Sequence, residues 1–70
     1  MTPKQIQQLM NDKDINQAEL ALLIDHKQPT VSSWVNDISA PRPRAVREME
    51  RVARLKPSQI RKKLKRLTLD

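Results

Sequence analysis

Seventy residues leave room for one small domain whose core alone gives marginal stability, so completion by a second copy is an expectation from the outset. The chain has no cysteine and one histidine, which excludes a disulfide framework or a cysteine-ligated zinc site as its staple and fits a reducing compartment. Fourteen Lys and Arg against eight Asp and Glu give a formal charge of +6, which makes a polyanion the first partner to consider. The charge is unevenly spread: residues 1–41 carry three basic and five acidic side chains, and from Arg42 onward eleven basic residues face three acidic ones.

The stretch "MTPKQIQQLM" holds no apolar run long enough for a signal peptide or a membrane span, so a cytoplasmic protein without a membrane partner is expected. Strand signals are nearly absent and the helical period recurs, which predicts an all-α, five-helix domain over residues 1–70. The first helix starts at a Thr2 cap with Pro3 in its first turn, presents Ile6, Leu9 and Met10 on one face, and ends near Asn11 to Lys13. Asn16 followed three residues later by Glu19 forms a variant capping box that opens the second helix, with Ile15 and Leu20 as a hydrophobic staple. This helix runs to about Ile24 and buries Leu20, Leu23 and Ile24.

A third helix begins near Gln28, with Pro29 in its first turn and Val31, Trp34 and Val35 inward. Asn36 and Asp37 end it, since both tolerate a left-handed conformation. After the loop "ISAPRP", Pro43 opens a fourth helix with Val46, Met49, Val52 and Ala53 at helical spacing. "KP" at Lys56 and Pro57 interrupts the pattern, Ser58 is placed as the cap of a fifth helix, and Ile60, Leu64 and Leu67 form its apolar line. A basic segment follows over about residues 61–70.

Two short helices joined by "DHK" fit a reader of double-stranded DNA: the first braces across the backbone, and the second brings its early residues to base edges in the major groove. The run "NQAELALLIDHKQPTVSSWVND" followed by "RPR" resembles the helix-turn-helix of the Cro and repressor proteins of lambda-like phages, over roughly Thr2 to Leu64. In size the chain is nearer to a Cro protein, with no room for a second domain. Where that family usually has glycine in the turn, this chain has Asp25, and where the next position is commonly apolar it has His26.

The resemblance implies a role for each matching residue. Gln17, at the start of the bracing helix, would meet a phosphate. Lys27, Gln28, Pro29, Ser32 and Ser33 would face the bases, with Gln28 suited to adenine, Lys27 to guanine or a phosphate, and Pro29 to a thymine methyl. Asn36, Arg42 and Arg44 would hold the backbone or enter the minor groove nearby, and the loop before "RPR" has one extra residue. Pro57, Ile60 and Leu64 would be dimer contacts, letting a symmetric pair read two half-sites about 34 Å apart. The implied function is repression of transcription by occluding a promoter at an operator.

Other readings of the same residues are plainer. Trp34 is expected in the core, His26 as a partly exposed structural residue of the turn, and Asp12 with Asp14 as helix-end residues. Ser32 and Ser33 have no orienting carboxylate or oxyanion loop, so no enzymatic activity, cofactor, metal or small-molecule ligand is expected. The tail "RKKLKR" is either a solvated face or a phosphate-binding surface. A protein-interaction module of the antitoxin type, docking that basic helix on an acidic partner, is the alternative function.

Overall fold

Local side chains set where the first two helices begin. The Thr2 hydroxyl accepts from the Gln5 N–H at 3.2 Å while Gln5 Oε1 accepts from the Thr2 N–H at 2.8 Å, which starts α1 (Pro3–Lys13). Asn16 and Glu19 repeat the arrangement at 2.8 and 2.9 Å and start α2 (Gln17–Leu23). The remaining helices are α3 (Gln28–Val35), α4 (Pro43–Arg54) and α5 (Pro57–Thr68). The computed structural model describes residues 1–68, so the last two residues of the basic C-terminal segment lie outside the described residues. The architecture is all-α, with no strand among the described residues.

The first three helices stop in one way. Asp14, Asp25 and Asp37 have φ of 55°, 58° and 58°, the left-handed conformation for which glycine is best suited and which this glycine-free chain assigns to aspartate. Around each, the next N–H reaches back across the last turn. Ile15 donates to the Met10 carbonyl at 3.0 Å, His26 to Ala21 at 2.8 Å and Ile38 to Ser33 at 2.9 Å. The aspartate N–H itself donates to Asn11, Leu22 and Trp34 respectively, which completes a Schellman closure at all three helix ends. At the end of α3 only Asp37 is left-handed, and its neighbour Asn36 keeps φ at −88°.

These sharp reversals fold the apolar faces inward. Ile6, Leu9 and Met10 of α1, Leu20, Ala21 and Leu23 of α2, Val31 and Trp34 of α3, Ala45, Met49 and Val52 of α4, and Ile60 and Leu64 of α5 form one core together with Ile24. No polar or charged side chain is buried with them among the described residues. Ile15 and Val35 pack against the edge of this core, Ile15 taking the staple position before α2.

The structure departs from the sequence reading in the second half. In α4 the buried line is Ala45, Met49 and Val52, whereas Val46 is only half-buried and Ala53 is exposed. The buried face is shifted by about 40° toward the small Ala45. Ser58 is not a cap: Pro57 already occupies the first helical position, and Gln59 Oε1 accepts from the Lys56 N–H at 2.9 Å. Leu67 is 46 % exposed, past the point where α5 has core to lie on.

Ile60 and Leu64 need a further correction. Expected at a dimer contact, they are 0 % and 8 % exposed within a single chain, because α5 lays this face on α2. Side chains enclosed by their own subunit have no surface left for a second one. Pro57 is exposed.

Candidate nucleic-acid interface

The α2–α3 pair is built around the turn at Asp25 and His26. With Asp25 left-handed, the chain reverses within Ile24 to Lys27 and α3 packs chiefly on α2. His26 replaces the usual apolar turn residue without loss of order. Its Nδ1 lies 2.8 Å from the Ile24 carbonyl oxygen, and since a carbonyl only accepts, Nδ1 carries the proton and donates. The imidazole meets the Trp34 ring edge-on, centroids 5.3 Å apart at 62°, so the half-buried histidine covers the buried tryptophan.

Helical geometry then divides α3 into two faces. At about 100° per residue, Val31 and Trp34 point into the core and leave Gln28, Pro29, Ser32, Ser33 and Asn36 on the opposite arc. Lys27, Gln28, Pro29 and Asn36 are exposed, and Ser32 and Ser33 are half-buried. Asn36 Nδ2 donates to Ser32 Oγ at 3.2 Å, which ties two residues of this arc together along the helix.

The N-termini of the two helices meet through their side chains. Gln28 Nε2 donates to Gln17 Oε1 at 3.0 Å, although the residues are eleven positions apart. The bond orients the Gln28 carboxamide and leaves its oxygen and second N–H open for a partner. One base-reading and one backbone-holding candidate are thus brought into contact.

Arg42 and Arg44 border the other side of α3. Together with His26, Thr30, Trp34 and Ser39 they line a cleft of about 480 Å³ between the third helix and the α3–α4 loop. Thr30, half-buried in the first turn of α3, lies on the flank toward the loop, away from Gln28 and Ser32. Lys27 and Arg42 sit at the N-cap positions of α3 and α4, and neither N-terminus has a side-chain cap bond. No pair of these helices offers an apolar length for a bilayer: among the described residues no helix is long and apolar enough to cross a membrane.

The family model described as Helix-turn-helix matches residues 6–60, a span running from the first buried residue of α1 to the first buried residue of α5. The chain belongs to the helix-turn-helix family. It is accordingly a DNA-binding regulator, whose partner is double-stranded DNA. No curated protein and no solved structure matches this helix-turn-helix chain. The match includes the whole of α2, the turn and α3, so the contact between Gln17 and Gln28 lies within the family's DNA-binding unit.

Proposed function

We propose that this helix-turn-helix protein is a Cro-like repressor that binds an operator as a homodimer and occludes a promoter, in the cytoplasm of a bacterial host. The observation that carries the reading is the Gln17–Gln28 hydrogen bond, because a carboxamide held in orientation loses less freedom when it pairs with a base. In this reading Gln28 takes adenine in bidentate fashion, Lys27 takes guanine or a phosphate, and Pro29, Ser32 and Ser33 give weaker discrimination further along α3. Gln17, Asn36, Arg42 and Arg44 hold the phosphates on either side. Pro57 is the dimer contact that the burial of Ile60 and Leu64 leaves in place. No catalysis and no cofactor enter this mechanism.

The test is selection from random duplexes, followed by binding of wild type and Gln28→Ala to the recovered sequence and its single-base variants. A two-fold symmetric site is expected, with Gln28→Ala relaxing discrimination at one base pair per half-site by about 1–3 kcal/mol and leaving the others unchanged. Uniform binding to all duplexes, unaltered by Gln28→Ala, would remove sequence reading by α3 and leave the antitoxin-like module, with its basic C-terminal helix on an acidic protein, as the better account.

A further inference from the structure

We propose that α4 carries a second, sequence-blind DNA surface, in which Arg47, Arg51 and Arg54 continue from Arg44 onto the phosphates of duplex flanking the stretch that α3 reads. The inference rests on the DNA-binding reading and extends the footprint beyond the recognition helix. Its basis is an arginine stripe. Residues 44, 47, 51 and 54 fall within about 80° of arc and span about 15 Å of helix. All four are exposed, and the stripe is turned about 150° from the buried face of Ala45, Met49 and Val52, so no part of the described chain covers it.

The stripe takes no part in the core of the fold. Its members are neighbours at i, i+3 and i, i+4, an arrangement in which like charges repel along the helix. Two carboxylates of α4 flank the row of four arginines, and one of them forms an ion pair with it. Glu48 reaches Arg51 only at 3.9 Å, with the Arg51 side chain 76 % exposed, and Glu50 borders the same shallow cleft as Arg47, Arg51 and Arg54. The other ion pair among the described residues joins Arg61 of α5 to Asp14 at 3.0 Å and leaves the stripe untouched.

Position and residue type point to a phosphate backbone. Arg44 lines the cleft that contains Thr30 of α3 and Arg42, and also the neighbouring cleft at Asp25 and His26 beneath the turn, so the stripe starts at the Thr30 flank of α3, beside the α3–α4 loop, and continues along α4 without a gap. Each DNA strand presents one charge per about 3.4 Å of axis, which sets about four phosphates beside a 15 Å row. Every cation in the row is an arginine, whose planar fork pairs two-to-two with phosphate oxygens, whereas the exposed cations beyond Arg61 on α5 are mostly lysine.

The experiment compares wild type with the Arg47→Gln, Arg51→Gln, Arg54→Gln triple variant on two duplexes over a range of salt. One duplex ends at the selected site and the other extends it by one helical turn, about 10 base pairs, on each side. Arg44 is kept because it belongs to the reading surface. On the long duplex the log–log salt slope of wild type should exceed that of the variant by about 2–3, so that a fourfold rise in salt weakens wild type about 40-fold more. On the short duplex the two slopes should agree, and base preference and thermal midpoint should be retained by the variant. Equal slopes and affinities on the long duplex would overturn the proposal and assign the stripe to an acidic protein instead. If selection returns no preferred sequence, sequence reading by α3 fails separately, and the same titration on a long duplex of random sequence still decides the stripe.

Discussion

α2 and α3 begin eleven residues apart and are closed in opposite ways. Asn16 and Glu19 exchange hydrogen bonds with each other's backbone at the start of α2, while Lys27 at the start of α3 makes no side-chain cap bond. The contrast extends to their neighbours: α1 has the Thr2–Gln5 box, and α4 starts on Arg42, again without a side-chain cap. A cation at a helix N-terminus opposes the macrodipole, and an uncapped first turn leaves N–H groups to water. The two helices that begin on a capping box satisfy their own first turns, whereas α3 and α4 keep open first turns that a phosphate would satisfy.

Removing the anchor of the reading helix should produce the largest effect. Trp34→Ala takes away the buried ring shared by α3, His26 and the core, and a loss of about 3–5 kcal/mol is expected in denaturant unfolding, enough to leave a domain of this size largely unfolded. Phe at the same position should restore most of it. If Trp34→Ala instead melts α3 alone and leaves the rest cooperative, the two helices are less coupled than their packing indicates.

The caps themselves come next. Asn16→Ala should destabilise the domain by about 1 kcal/mol, whereas Lys27→Ala at the corresponding position of α3 should be close to neutral. Equal losses in urea titrations would erase the distinction between braced and open helix ends. Asp25→Gly tests the turn between them: relief of the left-handed aspartate should raise stability by up to about 1 kcal/mol, read as a higher thermal midpoint. Asp37→Gly, at the end of α3, should behave alike.

The smallest change sharpens the comparison most. Lys27→Ser supplies the missing cap and removes the misplaced cation, so a gain of about 0.5 kcal/mol in stability is expected together with weaker binding to duplex DNA. A variant that gains stability and binds DNA as wild type does would show that the open end of α3 serves no partner.

Much of this was written in short-range patterns. Thr2 with Gln5, Asn16 with Glu19, and the prolines at 3, 29 and 43 act over three or four residues, and all of them start helices where the sequence reading placed them. Asp25 in the left-handed turn is equally local, because in a chain without glycine few residues accept that conformation. Arg42 and Arg44 are candidates only through the resemblance carried by "RPR", and the structure leaves both exposed at the start of α4.

What tertiary structure alone decided depends on where one helix lies against another. Val46 and Ala53 have the right period for α4, yet Ala45 is the residue under the core, a choice the period alone leaves open. Ile60 and Leu64 are apolar at the spacing either a dimer seam or a core would use, and only the seat of α5 on α2 makes them core. The hydrogen bond between Gln17 and Gln28 and the contact of His26 with Trp34 need the packing of α3 on α2 before the side chains can meet. Sequence by itself determined the five helices and the capping boxes at Thr2 and Asn16, because those interactions close within one helical turn, whereas at α5 it pointed to Ser58 and Gln59 makes the closing bond. The faces that are buried, and the pairs that meet across helices, had to wait for packing, because one periodic pattern fits several neighbours equally well until the angles between helices are set.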